Sequence, residues 1–309
     1  MSDAPQTKLE RERVVSHTHL IGVATNAGLA ALKLTIGSLA GSRALVADGV
    51  HSVSDVVMNA GAWLGWRWAE RPRDADHHYG HGNGEAFATL VVGLIVASVG
   101  VGLAWTAFTG EPSSVGADLL GSLAVGAELV TILVKFRLAR LTARRGQKYG
   151  SSLLTAVARD NKADMLTSSL ILIAIVGSIA GLRWLEPVAA VAIGVLIVIE
   201  GLRSCWDGVN VLMDRHTDEA LTARVRAIAR SVEGVRAVDD IRVHPLGTHL
   251  RVDMEIAVEG TLEVSTGHAI AHAVEDAIQL AYPRIREVAI HVNPADPVDP
   301  TDLAKQANE

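Results

Sequence analysis

Cysteine is almost absent: Cys205 stands alone in 309 residues. No intrachain disulfide can form, and the chain is silent about redox compartment. Charge is also scarce. Asp, Glu, Lys and Arg make up 20% of the chain against 49% hydrophobic residues, and mean hydropathy is positive. Such proportions argue against an ordinary soluble enzyme and for a polytopic membrane protein with a soluble appendage. No basic excess exists either. The net charge of −6 removes the electrostatic ground for nucleic-acid binding. The N-terminal residues 1–18 are polar and include Lys8, Arg11 and Arg13; they lack the apolar core and cleavage site of a secretory signal. The first apolar stretch is expected to act as its own insertion signal.

Long apolar runs are what the sequence does have. A membrane-spanning helix takes about 20 mostly apolar residues. Six segments meet that length: 19–41, 44–69, 85–108, 115–138, 153–182 and 186–213. Glycine and alanine are frequent within them, which permits close helix approach in lipid. Basic residues orient the bundle. Lys8, Arg11 and Arg13 precede the first span, Arg71 and Arg73 follow the second, and Arg137, Arg140, Arg144, Arg145 and Lys148 follow the fourth, whereas the opposite connections carry little more than Arg43 and Arg183. By the positive-inside rule both termini are cytoplasmic.

After the sixth span the pattern changes. Segment 217–232 reads as an amphipathic helix and 238–243 as a short strand. In 249–258 Leu250, Val252, Met254, Ile256 and Val258 alternate with Arg251, Asp253 and Glu255, as a half-buried strand requires. A second helix over 263–281 and a last strand over 288–292 complete an α-β-β-α-β order, suited to a small two-layer α+β domain. A sheet this small favours dimerisation. The expected organisation is an all-α, six-helix transmembrane domain over 1–213, a cytoplasmic α+β domain over 214–294, and a polar, disordered tail over 295–309.

Three groups of side chains stand out. His51 and Asp55 are four residues apart in the second span, as are Asp160 and Asp164 in the fifth. That spacing places each pair on one helix face. A charge at mid-bilayer costs roughly 2.5–3.5 kcal/mol on insertion scales, so it persists mainly where it faces a partner, an ion or water. One imidazole and three carboxylates can make a four-ligand site for a divalent cation; the plain alternative is a pair of interhelical hydrogen bonds. Asp48 and Asn161 are candidates to line the access path. In the loop between spans two and three, Asp74, His77 and His81 form a second candidate site, against the alternative of a solvated polar loop. Asp253, His268 and His291, with His244 and His272 nearby, form a dispersed third group. Lys33, Glu128 and Glu200 are isolated in their spans and read as structural or path-lining contacts, with Lys33 close enough to a helix end to snorkel.

At these residues the chain resembles the cation diffusion facilitator family. The run from Leu45 through Asp48, Gly49, His51, Ser52 and Asp55 resembles its second-span signature, Gly80-His81-Gly82 with Glu85 its loop between spans two and three, and 158–164 its fifth span. The resemblance implies six spans with cytoplasmic termini, a metallochaperone-like cytoplasmic domain, and a homodimer in a bacterial inner membrane. It implies a secondary active transporter, not an enzyme, that exports divalent metal from the cytoplasm while protons enter. By position it gives His51, Asp55, Asp160 and Asp164 the transport site, Asp74, His77 and His81 a loop site, and Asp253, His268 and His291 part of a cytoplasmic site. The divalent cation is then substrate and, at the latter sites, a structural ion. Many zinc-transporting members carry histidine where Asp160 stands, and zinc members of one bacterial type also carry histidine where Asp253 stands and lysine where Asn83 stands. Carboxylate in place of imidazole hardens the site, and 160–164 is similar to manganese-exporting members. Manganese is therefore favoured, with zinc, iron and cobalt as alternatives. Two rivals remain: a metal channel or sensor without proton exchange, and a membrane di-iron enzyme, whose repeated histidine boxes are not evident here.

Overall fold

The computed structural model describes residues 8–110, 115–149, 152–216, 218–246 and 249–295. Six long helices come first: α1 (Lys8–Ala40), α2 (Arg43–Ala69), α3 (Gly84–Thr109), α4 (Leu119–Tyr149), α5 (Ser152–Ile179) and α6 (Leu185–Leu212). They are followed by α7 (Glu219–Ser231), β1 (Val235–Leu246), β2 (His249–Val258), α8 (Val264–Ala281) and β3 (Ile285–Pro294). Five of the six long helices are both long and apolar enough to cross a membrane. The other, α2, matches them in length with 27 residues, but Asp48, His51, Ser52, Ser54 and Asp55 dilute its apolar character. At 1.5 Å per residue it reaches about 40 Å, past the roughly 30 Å hydrocarbon core.

Two expected bounds need correction: α1 begins at Lys8, well before residue 19, and α4 runs past residue 138. The fourth span was expected to end at residue 138 and the basic stretch beyond it to be a connection, yet α4 continues to Tyr149. Arginine and lysine are good helix formers, and the run from Arg137 to Lys148 holds no proline to stop the helix. The expected tail over 295–309 lies, beyond Ala295, outside the described residues.

Two compact units divide the chain, one made of residues 1–61 and 91–205, the other of 62–90 and 206–309. In the first, α4 packs along α5 and against α1. Its core is built from small residues, among them Ala44, Ala47, Ala124, Ala127 and Ala190, with Leu45, Ile171, Ile175 and Ile197 filling between them. Helices α3 and α6 meet on glycine. A Cβ on Gly93 would lie 2.7 Å from the Gly201 carbonyl oxygen, and one on Gly100 2.8 Å from that of Gly194. Lipid supplies no hydrophobic drive between helices, so close backbone packing must hold them. A side chain at either crossing would force the helices apart, at about 1–3 kcal/mol.

The second unit contains a three-stranded sheet in the order β1-β2-β3, with β1 antiparallel and β3 parallel to β2. Asp218 caps α7, its carboxylate accepting from the Leu221 amide at 2.9 Å. Val252, Met254 and Ile256 alternate inward from β2 and join Val225 and Ala229 of α7, Val274 and Ile278 of α8, and Ile285 of β3 in one core. Asp253, Glu255 and His291 are outside that core. β1 and β3 are longer than their apolar stretches predict, because ladder hydrogen bonds to β2 extend a strand beyond its buried residues.

Candidate metal site

His51 is buried in the first third of α2, with only 8% of its surface exposed. Asp55, one turn on, shares its face, and α6 brings in Glu200. Ligand atoms of these three residues all lie within 4.8 Å of one another. His51 Nδ1 is 3.5 Å from Glu200 Oε2, and Nε2 is 3.9 Å from Asp164 Oδ1 on α5. The Nδ1 atom is buried without a hydrogen-bond partner. A buried ring nitrogen left unpaired among carboxylates is costly, and a cation seated between them would satisfy it.

Asp164 has a second neighbour. The buried Lys135 ammonium, from α4, lies 2.5 Å from Asp164 Oδ2 and donates to Asn26 Oδ1 of α1 at 2.9 Å. Asp164 thus sits between an internal cation and the His51 cluster. Asp160 is exposed and is not part of the cluster, although one helical turn separates it from Asp164. Neither Asp48 nor Asn161 is open in this structure. Asp48 is paired with Lys33 at 2.5 Å, and Asn161 is 3% exposed and donates to the Val157 carbonyl at 2.7 Å. Lys33 does not snorkel; although it is only two turns from the end of α1, it is 1% exposed, because Asp48 supplies the counter-charge.

In the loop, Asp74, His77 and His81 do come together. Asp74 Oδ1 accepts the amides of Asp76 and His77 at 3.0 and 2.7 Å and is 2.9 Å from His77 Nδ1. The His77 side chain, and then its amide, hold the Asp74 carboxyl below the usual carboxylate range. Because the shift is downward, these bonds persist at neutral pH and weaken only on acidification below that range. His81 Nδ1 is 3.2 Å from the Pro72 carbonyl, which can only accept. Nδ1 therefore carries the hydrogen, leaving Nε2, 3.4 Å from Asp74 Oδ2, as the ligating nitrogen. Three donors in this arrangement fit a divalent ion.

Among the described residues, Asp253, His268 and His291 do not form one cluster. Asp253 and His291 line one shallow cleft on the sheet, together with Asp240 and Glu255. His268 is on α8, where its Nε2 is 3.1 Å from that of His272. The closest imidazole to Asp253 is that of His244, at 3.2 Å, which also lies 3.3 Å from Asp214.

Residues 19–213 match the cation efflux transmembrane domain, and residues 217–295 match the cation efflux protein, cytoplasmic domain. The chain belongs to the cation efflux family. Similar proteins include Metal tolerance protein C1 of Arabidopsis thaliana, 32% identical over 289 residues, an alignment that covers 89% of this chain and 61% of that one. Metal tolerance protein 2 of Oryza sativa subsp. japonica is 31% identical over 309 residues, covering 92% and 79%. Manganese efflux system protein MneP of Bacillus subtilis (strain 168) is 29% identical over 292 residues, covering 92% and 98%. This cation efflux protein is thus a multi-pass membrane transporter of metal, not an enzyme.

Sequence reasoning undervalued Glu200 and passed over Lys135 and Asn26. A carboxylate within an apolar stretch was the available signal for Glu200, as was a lysine within the apolar part of α4 for Lys135. Neither signal says which neighbour the side chain meets.

Proposed function

We propose that this cation efflux protein exports divalent transition-metal cations from the cytoplasm, manganese foremost, in exchange for protons. The observation that carries this reading is the buried His51 imidazole facing Asp55, Glu200 and Asp164 at the junction of α2, α5 and α6. The transport site we assign is His51, Asp55, Asp160 and Asp164, with Glu200 as an additional carboxylate. Asp160 qualifies because side chains one turn apart have Cβ atoms only about 5–6 Å apart. Such a set offers one nitrogen and otherwise oxygen, which suits manganese better than zinc; the resemblance to a protein named for manganese efflux points the same way.

Chemistry then sets the cycle. Carboxylate and imidazole bind metal only when deprotonated, so metal and protons compete for the same atoms. Facing the cytoplasm, the site loads a cation and sheds protons, and the arriving metal displaces the Lys135 ammonium from Asp164. Facing the outside, protons return and the metal leaves. Differential affinity between the two states is what drives the exchange. We place the protein in a bacterial inner membrane, as the family resemblance implies, with both termini cytoplasmic, following the distribution of lysine and arginine.

The test is flux in proteoliposomes across manganese, zinc, iron and cobalt, with and without an imposed pH gradient. Manganese flux that accelerates with inward proton drive is expected. Rapid flux indifferent to the gradient would mean a channel instead.

For the cytoplasmic domain, we propose that metal bridges two copies in the homodimer, since Asp253, His291 and His268 form no cluster among the described residues. The domain has its own core, so residues 214–294 can be examined alone. Saturating manganese or zinc should raise the thermal midpoint of the isolated domain; an unchanged midpoint refutes the bridge.

A further inference from the structure

A second buried polar cluster sits in the helical unit, made of residues outside the assigned metal site. Lys33 of α1, Asp48 of α2 and Glu128 of α4 are 1%, 2% and 0% exposed. The Lys33 ammonium pairs with Asp48 Oδ2 and donates to Ser52 Oγ of α2 at 3.3 Å. From α5, the Ser168 hydroxyl donates to Asp48 Oδ2 at 3.1 Å. Glu128 faces Asp48, Lys33 and Ser168, yet both of its carboxyl oxygens are buried without a donor.

Counting hydrogens and charges decides what Glu128 must be. A serine hydroxyl carries one hydrogen, and that of Ser168 goes to Asp48. Two carboxylates and one ammonium leave the cluster one negative charge in excess. A lone buried charge is strongly disfavoured, and two facing carboxyl groups that cannot both ionise share a proton. With the proton on Glu128, its hydroxyl becomes a donor to Asp48 and the cluster turns neutral, leaving one Glu128 oxygen as an uncharged carbonyl.

We propose that Lys33, Asp48 and Glu128 form a proton-binding site distinct from the metal cluster, which carries one of the protons exchanged for metal. The inference rests on the proton-exchange reading above. The site joins α1 and α2 to α4 and α5, the helices that bring Lys135 and Asp164 to the metal. When those helices shift in transport, separating Glu128 from Asp48 removes the reason for sharing the proton. The proton then leaves to solvent from Glu128, and another is taken up when the pair re-forms.

The experiment uses the full-length protein in proteoliposomes, with Mn2+ as the transported ion and a pH-reporting dye inside. Protons moved per Mn2+ are counted for wild type and Glu128→Gln, whose amide keeps the donor but cannot titrate. Manganese binding should be unchanged in Glu128→Gln, while the ratio falls by about one proton per metal. An unchanged ratio overturns the proton site and leaves the exchange reading standing. No proton movement in wild type overturns both. Should the variant fail to assemble, infrared spectra of the wild type decide alone: the carbonyl stretch of a protonated carboxylic acid must persist from about pH 6 to pH 8, and its absence refutes the proposal.

Discussion

Asp55→Ala is expected to abolish metal flux while leaving the protein folded. Loss of even an outer-shell partner costs about 10–100-fold in metal affinity, so removal of a ligand should lower flux by more than about 100-fold. Among the described residues the Asp55 carboxylate accepts no hydrogen bond, so its loss opens no structural contact. Asp164 must be treated differently. Its pairing with the buried Lys135 means that Asp164→Ala would strand an ammonium at a cost of about 3–5 kcal/mol. Asp164→Asn keeps a polar acceptor there and isolates the ligand effect. Paired flux and thermal-midpoint measurements check the expectation. Wild-type flux in both Asp55→Ala and Asp164→Asn would refute the site.

Asp160→His should move selectivity toward zinc. The substitution gives the assigned set two imidazoles, and imidazole suits zinc better than it suits manganese. A zinc-to-manganese flux ratio raised by about tenfold, or about 1.4 kcal/mol of relative preference, is the expected result. The optimum should also move to higher pH, since a histidine must be neutral to bind metal whereas an aspartate is already ionised at lower pH. Flux of the two metals across about pH 6 to pH 8 tests it. An unchanged ratio would exclude Asp160 and leave Glu200, which lies within reach of His51, as the fourth ligand.

The fold class was legible in the chain because its signals are local. Apolar runs of membrane-spanning length mark five of the six long helices and a more polar run of the same length marks α2, and strict alternation marks β2, whose bounds agree with the sequence reading, 249–258. The loop cluster was legible too: Asp74, His77 and His81 lie within eight residues, bent together by a glycine at Gly80 with φ of 82°. The end of α4 was not. Hydropathy falls at residue 138, but a helix continues wherever its backbone bonds can, and basic side chains let it do so outside the apolar layer.

Sequence by itself determined which residues are costly to bury and which share a helix face: His51 with Asp55, Asp160 with Asp164, and the isolated Lys33, Glu128 and Glu200. Only the tertiary structure decided their partners. It set Glu200 beside His51, gave Asp164 to Lys135, left Asp160 exposed, and joined Lys33 to Asp48. The physical reason is that helical periodicity fixes the angle between side chains on one helix but not the rotation of that helix against its neighbours. That rotation is settled by packing between segments far apart in the chain, here by alanine-rich cores and by glycines that let α3 and α6 touch.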